Sequence, residues 1–141
     1  MSWLQILLAE DNRGDVLLVQ KALALHNVSY HLHLVQDGGE ALDFLARIGI
    51  GREAPCPDLI LLDLNLPKVD GTAILEELRK HPECACTPVI VISSSDTSRD
   101  RQRIEALGVA RYFHKPTNLD DFLKLGLLVR QVIQESGLTT G

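Results

Sequence analysis

Asp58-Leu-Ile-Leu-Leu-Asp-Leu-Asn-Leu-Pro67 is the stretch whose reading decides the fold. Ile60 to Leu62 lack polar alternation and read as a strand covered on both faces of a parallel sheet. The run ends in a carboxylate, Asp63, and Pro67 and Gly71 then close a loop. Asp63 is therefore expected at the carboxyl end of a central strand, the edge on which open α/β sheets build their sites.

Upstream, Leu4 to Ala9 is a short apolar run broken by Glu10-Asp-Asn-Arg-Gly14, which reads as a first strand and its loop. From Asp15 to His26, Val16, Val19 and Leu23 recur at helical spacing, and Asn27 is a plausible stop. Tyr30 to Val35 alternates as a second strand, with His31 and His33 on one side. Two histidines so placed could chelate a metal, but no third ligand accompanies them, and they read as solvent-facing strand residues. Asp37-Gly-Gly39 leads into a second helix with Ala41, Leu42 and Leu45 on its packing side, ended by Gly49 and Gly51. Residues 50–57 make a longer connection than compact α/β units need, either a tolerated insertion or a partner surface, and the insertion is the simpler reading.

Downstream, Ile74, Leu75 and Leu78 predict a third helix over 72–81, stopped by Pro82. Val89 to Ile92 is a second fully apolar run, followed by Ser93-Ser-Ser-Asp96. A fourth helix is expected from Thr97 or Ser98 to Leu107, with Gly108 as its stop, and a fifth strand over Arg111 to His114, ended by Lys115-Pro116. Thr117 with Asp120 forms a weak capping box for one long final helix to about Gln134. Five strand–helix repeats predict an α/β fold: a doubly wound five-stranded parallel sheet flanked by five helices.

The chain has 141 residues, 45% hydrophobic and 23% charged, which fits one domain over 1–141, with a core at about 3–134 and a frayed tail at 135–141. A net charge of -5 offers no basic face for nucleic acid. No apolar run is long enough to span a membrane, and the first residues lack a basic leader, so a cytoplasmic protein is expected. Cys56, Cys84 and Cys86 are odd in number, and Cys84-x-Cys86 has neither zinc-knuckle nor thioredoxin spacing; they read as reduced, incidental thiols.

Polar groups close four strands: Glu10 and Asp11 after the first, Asp63 after the third, Ser93 after the fourth, Lys115 after the fifth. In a doubly wound sheet with strand one central these ends surround one crevice. Three carboxylates there would repel one another. A hard divalent cation such as Mg2+ removes that repulsion and suits carboxylates combined with phosphate oxygens. Phosphoryl transfer needs an oxygen nucleophile, here Asp63, and fixed positive charge and donors, here the cation, Lys115 and the Ser93 hydroxyl. Each residue taken singly has an ordinary structural explanation; their joint placement at successive strand ends does not.

These residues resemble the receiver domain of a two-component response regulator over nearly the whole length. The resemblance implies a flavodoxin-like sheet of order 2-1-3-4-5. It implies Mg2+ (or Mn2+) held by Glu10, Asp11, Asp63 and the backbone carbonyl of Asn65, with Asp63 taking phosphate from a histidine kinase's phosphohistidine. Ser93 and Tyr112 would form the switch, Asn65 and Ser95 would tune the phosphate lifetime, and Lys115–Pro116 would be a cis peptide. Such a chain signals through the surface of its fourth helix, fifth strand and fifth helix, and catalyses its own phosphorylation and dephosphorylation without being an enzyme in the usual sense. A finer similarity, carried by residues 11–19, the loop before strand three, Ser93 to Asp96 and His114 to Pro116, is to stand-alone receivers that partner cyanobacterial phytochrome kinases.

No output domain is expected, so the signal would leave by protein contact. Leu123, Leu127, Leu128 and Ile133, added to Phe122, Leu125, Val129 and Val132, exceed what one buried helix face uses, which raises a homodimer as a partner. The rivals are a Mg2+-dependent phosphatase or transferase, which would want an acid where Asn65 stands, and a receiver-like module working without phosphorylation. A dinucleotide site lacks its glycines in Ala9 to Gly14.

Overall fold

The computed structural model describes residues 3–48, 56–84, 86–94, 101–102 and 105–137. Five strands, β1 (Leu4–Ala9), β2 (Tyr30–Val35), β3 (Leu59–Asp63), β4 (Val89–Ser93) and β5 (Arg111–His114), form one parallel sheet in the order β2-β1-β3-β4-β5. The helices are α1 (Arg13–Leu25), α2 (Gly38–Ala46), α3 (Gly71–Arg79), α4 (Leu119–Leu123) and α5 (Leu125–Glu135). Residues 101–102 and 105–106 are also helical, and Gly108, at φ +71, ends that stretch as expected.

Every residue of β3 and β4 is buried, as their uninterrupted apolar runs required. Because side chains alternate along a strand, the sheet feeds two cores. Leu7, Ala9, Ile60, Leu62, Val89 and Val91 pack with Ala41, Leu45, Ile74 and Leu78 from α2 and α3. Ile6, Leu8, Leu59, Leu61, Ile90 and Ile92 pack with Val19, Leu23, Phe122 and Val129 from α1, α4 and α5. On the second side α1 and α5 approach so closely that a Cβ on Gly126 would lie 2.3 Å from the Ala22 carbonyl oxygen. Arg130 closes the same seam, donating to the His26 carbonyl at 2.6 Å.

Short polar side chains start the helices. Asn12, Asp37, Asp70 and Asn118 each accept from a backbone N–H in the first turn of α1, α2, α3 and α4. The final cap is thus Asn118 rather than Thr117. The long final helix is two consecutive segments, with Lys124 between them making a tighter i→i+3 turn to Asp121. Of the extra apolar residues there, Ile133 is buried, Leu123 and Leu128 are half-buried, and Leu127 is exposed.

Two other expectations need correction. His33 is half-buried rather than solvent-facing: Nε2 meets Gln5 Oε1 at 2.7 Å and the ring lies against Phe44. Burial, then the charge of His31, lowers its pKa. Cys56 and Cys84 are not incidental thiols: their Cα atoms are 5.9 Å apart and a disulfide joins them. The turn of Pro82–Cys84 folds back beside the entry to β3, bringing together residues 28 apart in sequence. Cys86 is free and exposed. No helix among the described residues is long and apolar enough to cross a membrane.

Candidate functional site

The ends of β1, β3, β4 and β5 meet at the carboxyl edge of the sheet, as the strand order demands. Asp63, the last residue of β3, is 4% exposed, and Glu10, just beyond β1, is 1% exposed. Oxygens of Glu10, Asp11 and Asp63 lie within 4.8 Å of one another. Asp11 is the exposed member of this group.

Lys115 crosses the crevice from the end of β5. Its Nζ donates to Asp63 Oδ2 at 3.0 Å, to Glu10 Oε1 and Oε2 at 3.2 and 3.1 Å, and to Asp15 Oδ2 at 2.8 Å. The other oxygen of Asp63, Oδ1, accepts from the backbone N–H of Asn65 at 2.9 Å. Asn12 N–H reaches Glu10 Oε1 at 3.3 Å. Both buried carboxylates are thus partnered, as groups removed from water must be.

Burial, then the hydrogen bond and negative charge of Asp63, pushes Glu10 up to about 8, although Lys115 pulls the other way. Burial works against the Lys115 charge, but the hydrogen bonds to Asp15 and Asp63 and the charges of Asp63 and Glu10 outweigh it, so its pKa is raised. The share of the Glu10 shift that comes from Asp63, beyond burial, reflects an excess of negative charge in the crevice. Three hard oxygen donors with that excess fit a divalent cation of the Mg2+ or Mn2+ type.

Ser93, fully buried, ends β4 one residue beyond Ile92, the register partner of Asp63. Its carbonyl accepts from the Lys115 N–H at 2.7 Å, so a sheet hydrogen bond joins the hydroxyl-bearing and lysine-bearing strand ends. Tyr112 lies on β5 opposite Val91, half-buried, with the Arg101 guanidinium 5.0 Å from its ring centre. Ser95 lies outside the described residues. There is no cis peptide among the described residues, so Lys115–Pro116 is trans, contrary to the expectation. Trans is the intrinsically preferred X–Pro isomer by about 0.5–1 kcal/mol.

Sequence reasoning missed Asp15. Its place in the first turn of α1 had a sufficient local explanation, since acidic side chains are favoured at helix starts. The signal that could have found it is its position one turn after Asp11, on the end of α1 nearest the strand ends. The loop after Asp63 is also tied down in a way no motif announced. Gly38 N–H donates to the Pro67 carbonyl at 2.9 Å, Lys68 pairs with Asp37 at 3.2 Å, and a Cβ on Gly38 would strike Val69. Lys68 itself takes a positive φ of 77.

Comparison with known proteins agrees with this geometry. The curated response regulator Rcp1 of Synechocystis sp. is 39% identical over 120 residues, covering 85% of this chain and 82% of Rcp1. Among solved structures, the phosphorylated cyanobacterial phytochrome response regulator RcpA superposes with a TM-score of 0.83 at 37% identity, covering 98% of both chains. The Mn(2+)-bound form of Rcp1 gives a TM-score of 0.79 at 37% identity, covering 98% of this chain and 96% of the other. The family model for the response regulator receiver domain matches residues 6–125, and with its sheet order and strand-end acidic site the chain belongs to that family.

Proposed function

We propose that Asp63 is the phosphoacceptor of this receiver, taking a phosphoryl group from the phosphohistidine of a histidine kinase. The observation that carries the reading is Lys115 Nζ at 3.0 Å from Asp63 Oδ2, facing the Glu10, Asp11 and Asp63 oxygens. The ionised carboxylate attacks phosphorus directly; a P–O bond forms, the P–N bond breaks and the electron pair leaves with the imidazole. Bound at Glu10, Asp11, Asp63 and the Asn65 carbonyl, Mg2+ would spread the charge of the transferring group. Lys115 and the Ser93 hydroxyl supply donors to its oxygens. Hydrolysis, in which water attacks phosphorus and inorganic phosphate leaves, restores the carboxylate. In this reading Asn65 and Ser95 tune the lifetime of the phosphate.

In the same reading, Ser93 turns toward the phosphoryl group and Tyr112 takes up the space released. The surface that changes includes the helical residues after β4, β5, and the final helix made of α4 and α5. The chain then acts as a signalling protein rather than a turnover enzyme, works in the cytoplasm, and meets proteins rather than nucleic acid, including a second copy of itself through that surface. Likeness to RcpA and Rcp1 supports a phytochrome-type kinase as the donor. The test is incubation with phosphoramidate and Mg2+: an acid-stable, base-labile adduct is expected on wild type and not on Asp63→Asn. Equal labelling of the variant rules out the assignment.

A further inference from the structure

Lys115 is the only lysine whose ammonium touches the Glu10 and Asp63 carboxylates among the described residues, and it has three N–H donors for four nearby carboxylate oxygens. Glu10 and Asp63 belong to the oxygen cluster that fits a cation; Asp15 does not. Yet Asp15 makes the shortest contact to Nζ, 2.8 Å. Its carboxylate stands on the solvent side of the crevice, with 24% of the side chain exposed against 2% and 5% for Glu10 and Asp63. It is also built in place: the Asp15 N–H donates to Asn12 Oδ1 at 3.0 Å, while the Asn12 N–H reaches Glu10 Oε1 at 3.3 Å. The loop that presents Glu10 thus fixes Asp15 as well.

We propose that Asp15 is a positioning residue for phosphoryl transfer, the carboxylate that keeps the Lys115 ammonium aimed across the crevice once Glu10 and Asp63 are engaged by a cation and a phosphoryl group. The proposal rests on Asp63 as phosphoacceptor. Carboxylate oxygens given to a cation accept more weakly from an ammonium, so the two buried partners hold Lys115 less firmly when the site is loaded. A flexible four-carbon stem would then leave the charge unplaced. A charge-assisted hydrogen bond from outside the metal cluster retains one N–H and leaves the other two for phosphoryl oxygens. A helix-start role alone would ask only for an acidic side chain near the N-terminus of α1, not for one directed onto Lys115.

The test compares wild type, Asp15→Ala and Asp15→Asn at saturating Mg2+ with phosphoramidate. Asp15→Ala is expected to lower the maximal rate of Asp63 labelling about tenfold, with the donor KM and the Mg2+ affinity by calorimetry within about twofold of wild type. Asp15→Asn, which keeps an acceptor oxygen and the first turn of α1, should fall between. In Mg2+-bound protein without donor, a slowly exchanging Lys115 15Nζ signal should be seen in wild type and lost in Asp15→Ala. A rate within twofold of wild type, with only thermal stability reduced, overturns the proposal in favour of a helix-start role. Loss of Mg2+ affinity in step with rate overturns it in favour of a metal-cluster role. Retention of the Lys115 signal in Asp15→Ala overturns it directly. Absence of labelling in wild type refutes the acceptor reading and with it the transfer role, a result distinguishable because the nitrogen signal needs no donor.

Discussion

Removing divalent cations should make the folded protein less stable as pH rises through neutrality, the reverse of what an ordinary salt-bridged carboxylate does. Glu10 is 1% exposed and holds its proton to about 8, against 4.5 for the ordinary group. Between those values the unfolded chain has lost a proton that the folded chain keeps, so stability falls with increasing pH. Over 3.5 pH units at 1.36 kcal/mol each the full effect is about 5 kcal/mol, of which about 2 kcal/mol falls between pH 6.5 and 9. That window isolates Glu10 from the other shifted groups. His33, lowered by burial, adds stability that is lost only as pH drops below 6.5; Asp37, lowered first by its hydrogen bond from the Glu40 N–H, acts below 3.8. Tyr30, raised by burial, and Lys115, raised despite burial by Asp15 and Asp63, act above 10. The assay is urea unfolding followed by far-ultraviolet circular dichroism in EDTA at pH 6.5, 7.5 and 9. Glu10→Gln should abolish the slope, and Asp63→Asn should reduce it, since Asp63 is the second source of the shift after burial. Stability that is flat or rising from pH 6.5 to 9 in metal-free wild type would refute the reasoning.

Binding of Mg2+ at pH 7 should release a proton from Glu10, about one per ion, seen by calorimetry in buffers of differing ionisation enthalpy; no buffer dependence would place the proton elsewhere. Lys115→Met removes the shared partner of two buried carboxylates, and in EDTA at pH 9 should cost about 3–5 kcal/mol in urea unfolding, less at pH 6.5 where Glu10 is protonated, with Mg2+ restoring part of the loss. Gly126→Ala places a methyl group 2.3 Å from both the Ala22 carbonyl and the His26 ring, and should destabilise by about 1–3 kcal/mol while leaving Asp63 labelling per folded molecule unchanged.

The sheet was legible because β3 and β4 are apolar up to their last residue, β1 is apolar but for Gln5, β2 alternates, and turn residues bound the short β5. β1, β2 and β5 occupy the residues their patterns indicated, β3 extends by a residue at each end, onto Leu59 and Asp63, and β4 by one onto Ser93. The site was legible for the same reason, since strand order alone brings Glu10, Asp11, Asp63, Ser93 and Lys115 to one edge. What escaped were contacts that a local explanation already covered. Asp15 and Lys115 are 100 residues apart, and a helix start accounts for an aspartate without any lysine. Cys56 meets Cys84 through the return from α3, whereas spacing drew the eye to Cys84 and Cys86. His33 sits on an edge strand, but the α2 ring of Phe44 reaches over it, and no periodicity in β2 reports what another element covers.

The same geometry constrains how a charge at Asp63 could be felt elsewhere. Ser93 and Lys115 are joined through main-chain atoms at 2.7 Å, and β4 is paired on both sides and fully buried, so shifting the strands would break several ladder bonds in a tightly packed core. Side chains are cheaper to move. Tyr112 is half-buried, packed against the core on the α2 and α3 side of the sheet with the Arg101 guanidinium 5.0 Å from its ring centre, and its side chain can change rotamer without breaking a strand pair. A two-state element biased by phosphorylation needs arrangements only a few kcal/mol apart. In the proposed switch the moving parts are therefore the side chains of Ser93 at the end of β4 and Tyr112 on β5, with the β-sheet as the fixed frame against which they turn.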